Sequence, residues 1–242
     1  MITLYQFEIS PFCDKIRRIL NLKGQEFKTV DLSLLETLKG DAKKYSVTGK
    51  LPAINHDGKR ICDSTDIAVY LEEAFPQNPI YPLNKKDRAL AHFFEDWADE
   101  SLYFFEMHLR LVQRHNAKRW SAELTKTDNF LLKMIAPTAV PRAMEKITKA
   151  QGIGLKTIGQ IEKEMRDHLK AIENWLDGSD WLVGDAISIA DISVFCQLYC
   201  VQGSVEGKRL IDENSVVAQW MTRVDEATNQ KVEASVAEAI PA

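Results

Sequence analysis

The stretch EISPFCDKIRRIL contains two residues, Ser10 and Cys13, whose hydroxyl and thiol groups are suited to thiol chemistry. They lie three positions apart. Serine followed by proline is typical of a helix start, with Ser10 as the N-cap and Pro11 as the first helical residue. A helix N-terminus has unpaired N–H groups and about half a positive charge, so it stabilises an anion such as a thiolate. We expect the Ser10 hydroxyl to donate a hydrogen bond to the thiolate of a bound ligand. The alternative is that Ser10 only caps the helix.

Two further segments place groups that bind a peptide backbone and its charged end. In GKLPAI, a cis Leu51–Pro52 bond before the predicted strand would leave the Leu51 backbone free to pair with a peptide-like ligand. In CDST, at the next helix start, we expect Asp63 to hold an ammonium group and Ser64 a carboxylate. The alternatives are a strand-edge proline and an ordinary N-cap. Together the three segments predict a site for a small peptide with a free thiol and a free α-amino acid end.

The four cysteines form no evident disulfide framework and no metal-binding cluster. Cys196 and Cys200 are four residues apart, which places both thiols on one helix face, but no further cysteine or histidine completes a ligand set. We interpret both as buried small hydrophobic side chains. Four unpaired cysteines in 242 residues fit a reducing, cytoplasmic compartment, and we expect no metal.

Composition and charge argue against several classes of function. The formal net charge is −4 and the isoelectric point is about 5.8, so the sequence indicates no basic face for nucleic-acid binding. No apolar run approaches the roughly 20 residues of a membrane span. The first residues, Ile2–Phe7, predict a strand rather than a secretion signal. We therefore expect a protein that binds neither nucleic acid nor membrane.

The first 76 residues predict an α/β domain. Strand and helix patterns follow the order β-α-β-α-β-β-α, and the helix that starts at Ser10 ends at Gly24. A hairpin is expected in LPAINHDGKRICD, with its turn at His56–Gly58. Three prolines in PQNPIYPLN indicate a linker at residues 77–86.

After the linker the patterns predict helices only, so residues 87–242 are assigned to an all-helical domain. The aromatic and apolar spacing predicts one long helix from Lys85 to His115. Pro137 and Pro141 are expected to interrupt a second helical region, because proline cannot donate the backbone hydrogen bond of a helix interior.

The last part of the chain carries two more helix signals. The stretch QGIGLKTIG lacks the preceding strand and the Gly-Lys-Ser/Thr ending of a phosphate loop, so it predicts a turn into a helix that ends at Gly178. The stretch SIADISVFCQLYCV predicts another helix, started by a capping box of Ser188 and Asp191.

Over nearly its whole length the chain resembles the cytosolic glutathione transferase superfamily. SPFCDKIRRIL is similar to the first helix of that family, GKLPAI to its cis-proline loop, and DSTDIAVYLEEAFP to the helix that starts with an acidic residue and a serine. WLVGDAISIADISV resembles the capping-box motif of its helical domain, which is structural. The resemblance implies a thioredoxin-like domain at residues 1–76, an all-α helical bundle after it, and a homodimer. It also implies glutathione as the thiol peptide, which has the shape expected above.

The resemblance implies roles for particular residues. Ser10 matches the serine-type transferases, which stabilise the glutathione thiolate for attack on a small electrophile. Cys13 stands where the Cys-Pro-x-Cys pattern of thioredoxins has its second cysteine, and it is the second candidate catalytic residue, although its place in the first helical turn favours packing. Seven residues are expected to bind glutathione: Ser10, Phe12, Lys50, Leu51, Pro52, Asp63 and Ser64. Three residues on the long helix are expected to line the second-substrate pocket: Tyr103, Met107 and Arg110.

Three functions are open at this point. The first is a glutathione transferase. The second is a non-catalytic glutathione-binding or scaffold protein of the same fold, and the third is a glutathione-dependent thiol transferase that uses Cys13. Replacement of the first cysteine by Ser10 argues against disulfide reduction, because that cysteine is the attacking thiolate. Tyr5 is a rival activator, but its place in an alternating strand favours packing.

The sequence departs from the family pattern in two places. Ser46–Val47 stands where the family has Asn-Pro before the cis-proline loop, and the stretch 115–159 is longer than in compact members. QGIGLKTIG followed by SDWLVGD is also similar to a metaxin-like branch. These departures concern the substrate and the catalysis rather than the fold.

Overall fold

The computed structural model describes residues 1–229, and the last part of the predicted helical domain, 230–242, lies outside the described residues. The chain begins with a four-stranded sheet in the order β2-β1-β3-β4. Its strands are β1 (Ile2–Gln6), β2 (Phe27–Asp31), β3 (Ala53–His56) and β4 (Lys59–Cys62). β2 runs parallel to β1, whereas β3 is antiparallel to both β1 and β4.

Three helices accompany this sheet: α1 (Pro11–Leu22), α2 (Leu34–Leu38) and α3 (Ser64–Ala74), with a 3₁₀ turn at Asp41–Lys44. The apolar residues of β1 alternate, so Ile2 and Leu4 are buried with the apolar faces of α1 and α3. The predicted order β-α-β-α-β-β-α is confirmed. This part of the chain is a thioredoxin-like domain.

The expected long helix is present but is not regular throughout. It begins as α4 (Lys85–Trp97), passes through a π-helical turn at Ala98–Leu102, continues as α5 (Tyr103–Met107) and ends in a second π-helical turn at His108–Val112. It therefore starts inside the predicted linker 77–86 and stops three residues before His115.

The rest of the described chain is helical, and residues 85–229 contain no strand. Its helices are α6 (Arg114–Leu124), α7 (Phe130–Gln151), α8 (Ile158–Trp175), α9 (Ile189–Gln202), α10 (Val205–Asp212) and α11 (Ser215–Thr228), with a 3₁₀ turn at Ile153–Leu155. The thioredoxin-like domain is thus followed by an all-helical one, as predicted.

The expectation that two prolines interrupt the second helical region is wrong. Pro137 and Pro141 both lie inside the continuous helix α7. They are one turn apart, and Pro137 and Lys133 are exposed. The carbonyls of Lys133 and Pro137, which the prolines leave without an N–H partner, are therefore on the water side of the helix, where solvent replaces the lost hydrogen bonds.

α8 starts and ends close to the predicted positions. The stretch after α7 forms the 3₁₀ turn, and Thr157 then caps α8, so the predicted turn into a helix is confirmed. The helix ends at Trp175, three residues before the predicted Gly178. Gly178 instead has a φ of 75° in the turn that follows, a conformation that favours glycine.

α9 occupies the centre of the helical domain and packs on α1. Twelve of its fourteen residues are buried, which explains why its apolar residues cover every side of the helix. Ser188 and Asp191 form the predicted capping box at its start. Cys196 and Cys200 are 1% and 7% exposed, so the prediction that both are buried is confirmed.

Residues 1–229 contain neither a candidate membrane-spanning helix nor a candidate metal-binding cluster. None of their helices is both long and apolar enough to cross a membrane. None of their histidine, cysteine, aspartate and glutamate side chains form a group of three or more that is arranged to hold a metal ion.

Candidate functional site

The three segments predicted to bind a thiol peptide meet at one end of the sheet. Tyr5 of β1 is paired with Ala53 of β3, and Ala53 is paired with Cys62 of β4. Because β3 is antiparallel to its two neighbours, it enters the sheet at the end where β1 and β4 leave it. The segments next to these residues are the Ser10 helix start, the Leu51–Pro52 pair and the Asp63–Ser64 pair.

Ser10 is the N-cap of α1, as predicted, but its side chain makes no capping hydrogen bond. Its carbonyl accepts the first helical bond, from the Asp14 N–H at 3.0 Å, and Pro11 follows it as the first helical residue. The residue is partly exposed and lies on the wall of a cavity of about 970 Å³. The hydroxyl caps no backbone group and lies beside the Cys13 thiol, a weak acceptor, so it is able to donate a hydrogen bond to a bound thiolate instead at the N-terminus of a 12-residue helix.

Cys13 lies one turn into the same helix and points inward. It is fully buried, and its Sγ accepts a hydrogen bond from the Phe7 N–H at 3.4 Å. Burial raises the pKa of this thiol to about 11, although the Phe7 N–H and the Ser10 hydroxyl lower it in part. The thiol is thus neutral at pH 7 and enclosed, two properties of an unreactive cysteine.

The Leu51–Pro52 bond is cis, and β3 starts at the next residue. Pro52 is buried, Leu51 is half-buried and Lys50 is exposed. Among the hydrogen bonds of the described residues, none uses the N–H or the carbonyl of Leu51. This backbone unit is therefore able to pair with a ligand that is itself a peptide.

Asp63 and Ser64 start α3 in an unusual backbone conformation. Asp63 is the N-cap with a φ of 80°, which costs a residue with a side chain about 1–3 kcal/mol. Its Oδ1 accepts the Thr65 N–H at 2.9 Å, and the residue is exposed. Ser64 is 6% exposed, and its hydroxyl makes no hydrogen bond among the described residues. The pair presents a carboxylate and a hydroxyl at a helix N-terminus, which suits the ammonium and carboxylate of an amino acid.

A buried charge cluster behind these helix starts joins the two domains. Lys15 of α1 is 1% exposed, and its Nζ is 2.6 Å from Glu95 and 2.9 Å from Asp99. Burial lowers the pKa of Lys15, but the two carboxylates together raise it above its ordinary value, so the lysine is charged. The Thr65 hydroxyl donates to the same Glu95 oxygen at 3.1 Å, which ties the start of α3 to α4.

Sequence reasoning missed this charge cluster, although it left a signal. A lysine on the apolar face of α1, next to the buried Ile16, is unexpected unless a buried acid pairs with it. Glu95 and Asp99 are four residues apart on the long helix, the spacing that brings two carboxylates to one face.

Of the three residues predicted for a second substrate, the structure brings one to the cavity beside Ser10. Arg110 lines it together with Trp120 and Tyr199, whereas Tyr103 and Met107 are not among the described residues that line it. The Arg110 guanidinium pairs with Glu106 and lies 4.6 Å from the Trp120 ring. Both of its terminal nitrogens donate to the Ile9 carbonyl at 3.2 Å.

Tyr103 and Met107 lie elsewhere on the long helix, Tyr103 half-buried and Met107 buried. The Tyr103 ring packs edge-on against Phe12, with centroids 4.9 Å apart, and burial raises the pKa of its hydroxyl. Met107 is 4% exposed. Tyr5, the rival activator, is stacked on Tyr45 with ring centroids 4.0 Å apart.

Two family models match the chain. The model for the N-terminal domain of glutathione S-transferases matches residues 4–79, and the model for the C-terminal domain of the same family matches residues 137–226. The first match contains the three segments at the end of the sheet, and the second contains the capping box of α9.

Three similar proteins show how widely the likeness extends. LigF from Sphingobium sp. is 26% identical over 92% of this chain and 90% of its own length. An isoprene-epoxide–glutathione S-transferase from Rhodococcus sp. is 26% identical over 82% of this chain and 85% of its own. Glutathione S-transferase 1 from Dianthus caryophyllus is 40% identical, but only over 36% of this chain and 40% of its own length.

The fold is also that of a solved relative. The crystal structure of the β-etherase LigF superposes with a TM-score of 0.67 at 22% identity, over 94% of this chain and 97% of that one. A likeness at this identity concerns the fold alone. The matches to both domains of the family, over residues 4–79 and 137–226, show that the chain belongs to the glutathione S-transferase superfamily.

Proposed function

We propose that this protein is a glutathione transferase in which the Ser10 hydroxyl stabilises the glutathione thiolate for attack on a small electrophile. The observation that carries the proposal is the convergence of three open groups at one end of the sheet. They are the Ser10 side chain, which caps no backbone group, the unpaired Leu51 backbone and the Asp63–Ser64 pair. Each is polar, and each retains hydrogen-bonding capacity that a ligand can use.

Glutathione matches these groups one by one. Its cysteinyl backbone pairs with the Leu51 N–H and carbonyl, which orients the thiol towards Ser10. Its γ-glutamyl end is held by Asp63, on the ammonium, and by Ser64 with the α3 N-terminus, on the carboxylate. Lys50, which is exposed beside Leu51, is near the glycine carboxylate.

The reaction depends on the protonation state of the glutathione thiol, because the thiolate is the attacking form. A free thiol has a pKa of about 8.5, so only a few per cent is ionised at pH 7. A hydrogen bond from Ser10 and the N-terminus of α1 both favour the thiolate, and the thiol proton passes to solvent. The thiolate then forms a carbon–sulfur bond to the electrophile, and the leaving group departs with its electron pair, or an epoxide ring opens.

Two relatives suggest which electrophiles to try. LigF is described as a β-etherase, and the Rhodococcus enzyme is named for isoprene epoxide. A panel for this chain therefore contains an ether, an epoxide and an activated aromatic chloride.

The Cys13 thiol-transferase alternative is not favoured. A fully buried thiol with a pKa of about 11 is neither ionised nor open to a disulfide at pH 7.

The test is a direct measurement of the bound thiolate. Ultraviolet absorbance of glutathione on the protein is recorded against pH, with S-methylglutathione, which has no thiol, as the control. We expect the thiolate band to appear at least one pH unit below its position in free glutathione. An unshifted titration with glutathione bound would leave the non-catalytic binding protein as the better description, and no binding by calorimetry would overturn both.

We also propose a cytoplasmic homodimer, on the basis of the family resemblance. Light scattering is expected to give about twice the 27.5 kDa mass of the chain at micromolar concentration. A mass of one chain would contradict it.

A further inference from the structure

The connection between α6 and α7, residues 125–129, reaches from the helical domain back to the thioredoxin-like domain. Its central contact is Asp128, which is 8% exposed. The Asp128 Oδ2 accepts the Leu34 N–H at 3.1 Å, and its Oδ1 accepts the Leu35 N–H at 3.0 Å. A carboxylate of one domain therefore caps the first turn of a helix in the other, 93 residues away in sequence.

The helix that Asp128 caps, α2, has few other attachments. It is five residues long and has no buried residue, and Leu38 at its end is 69% exposed. Its own capping box, between Ser33 and Glu36, supplies the remaining bonds of the first turn but joins α2 only to itself. Because so short a helix is unstable alone, its position depends on the contact with Asp128.

The chain that leaves α2 leads directly to the proposed glutathione site. It passes through the 3₁₀ turn at Asp41–Lys44 and Tyr45, whose ring stacks on Tyr5, and reaches Lys50 and Leu51 before it enters the sheet at Ala53. A displacement of α2 is therefore transmitted to the backbone that is proposed to pair with glutathione.

The same region of the helical domain also holds the loop in front of Ser10. Lys126 pairs with the Glu8 carboxylate, and Arg110 donates two hydrogen bonds to the Ile9 carbonyl. α6 itself is anchored by the Trp120 indole N–H, which donates to the Gly203 carbonyl at 2.8 Å. The buried Arg110 contact is the stronger of the two, because the Lys126 pair is about half exposed on both sides.

We propose that the α6–α7 connection is an interdomain clamp that fixes the spacing between the two sides of the glutathione site, and that Asp128 is its main positioning residue. One side is the loop that carries Ser10, and the other is the segment from α2 to Leu51. Asp128 does not touch glutathione; it acts through the backbone of α2. The proposal rests on the proposed function for its effect on glutathione binding but not for its effect on α2.

The chain offers matched variants next to each other. Asp128→Ala removes both caps of α2, and Asp128→Asn retains an oxygen that accepts one of them. Asn129 caps α7 by accepting the Leu132 N–H at 3.0 Å and is the N-cap of a helix in the same domain, so Asn129→Ala removes a comparable bond without touching α2. Circular dichroism and urea denaturation first establish that each variant is folded.

The experiment measures amide hydrogen exchange of Leu34 and Leu35 and the affinity for glutathione in all four proteins. In Asp128→Ala we expect exchange at both amides to accelerate by about two- to thirtyfold, the range for loss of a helix cap, and the glutathione Kd to rise by up to the same factor. Asp128→Asn should show smaller changes in the same direction. Asn129→Ala should leave both amides and the Kd unchanged.

The outcomes test the clamp and the proposed function independently. Unchanged exchange at Leu34 and Leu35 in Asp128→Ala overturns the clamp, and accelerated exchange with an unchanged Kd overturns its role in the site. If the wild-type protein does not bind glutathione, the proposed function fails while the exchange data still decide whether Asp128 holds α2. If Asp128→Ala does not fold, Asp128→Asn carries the same test.

Discussion

The serines that precede α9 and α1 are both N-caps, but their side chains do different things. At α9, Ser188 is 2% exposed and is fully engaged: its N–H and its hydroxyl both donate to Asp191 Oδ2 at 3.0 Å. At α1, Ser10 is partly exposed and its side chain caps nothing. The first start stabilises the fold, whereas the second leaves its hydroxyl available to a ligand.

The residue three positions after each serine explains the difference. At α9 this residue is Asp191, whose other oxygen accepts the Leu182 N–H at 2.8 Å and the Trp220 indole N–H at 3.0 Å. At α1 it is Cys13, which cannot form a capping box and turns into the core instead. In these two helices, Asp191 at the third helical position closes the N-cap, whereas Cys13 at the same position of α1 leaves the serine hydroxyl without a capping bond.

The largest effect is expected at the capping box of α9, and it concerns the stability of the fold. Asp191→Ala removes four hydrogen bonds and leaves three buried N–H donors, those of Ser188, Leu182 and the Trp220 indole, without an acceptor. We expect the free energy of unfolding to fall by at least about 3 kcal/mol, at 1–3 kcal/mol for each unsatisfied group. Urea denaturation measures the change, and the exposed Asp167→Ala on α8 is the control that should leave the midpoint in place. Equal midpoints for the two variants would break the distinction between the starts.

The next largest effect is expected at Ser10, at the start of α1, and it concerns the rate of conjugation rather than the stability of the fold. Ser10→Ala removes one donor to the thiolate, so we expect conjugation to slow about ten- to a hundredfold, equivalent to about 1.5–3 kcal/mol. The urea midpoint should not change, because the side chain makes no capping bond. Steady-state rates and the thiolate titration are the measurements. A lower midpoint with an unchanged titration would mean that Ser10 is only a cap.

Asp63 at the start of α3 combines both purposes, because one oxygen caps Thr65 while the residue stays exposed. Asp63→Asn keeps a capping oxygen and tolerates the positive φ, so it removes only the charge. We expect glutathione to bind about 1.5–3 kcal/mol more weakly by calorimetry, the range for a hydrogen bond to a charged group, with the fold unchanged. Unaltered affinity would remove Asp63 from the site.

The smallest effect on rate is expected for Cys13→Ala, which should leave conjugation unchanged and cost about 1 kcal/mol of stability at pH 7 through lost packing. The cost should shrink as pH rises. Above pH 9 an unfolded thiol ionises while the buried one stays protonated to about 11, so the wild type loses about 1.4 kcal/mol per pH unit that the variant does not lose. Urea denaturation of both proteins between pH 8 and 11 measures this. A slower rate in the variant would instead make Cys13 the reactive group.

Much of the fold was predictable because local signals agreed with the tertiary structure. The order of elements, the starts of α1 and α9 and the turn into α8 each depend on residues close together in sequence. The α7 prediction failed because the cost of an internal proline depends on whether its freed carbonyl meets water, which is a tertiary property.

The candidate site was predictable in part for the same reason. Ser10, Leu51 and Asp63 each belong to a short motif, and the sheet register then brings the motifs to one end. The contacts between domains were harder to predict: no local pattern points from Asp128 to α2, and although a lysine on the apolar face of α1 signals a buried acid, nothing near it in the sequence identifies Glu95 as the partner. The difference between Asp191 in α9 and Cys13 in α1 was visible in the sequence. Its effect on the serine side chain was evident only from the structure.

The two π-helical turns in the long helix have a consequence for evolutionary comparison. Each fits one extra residue into a turn, and because one residue corresponds to about 100° of rotation, side chains beyond the turn face a different direction from those before it. A homologue with an uninterrupted helix would align without ambiguity at Glu95 but would be offset by one position at Tyr103 and by two beyond Val112. Ancestral reconstruction of this helix must therefore treat these turns as two separate single-residue insertions.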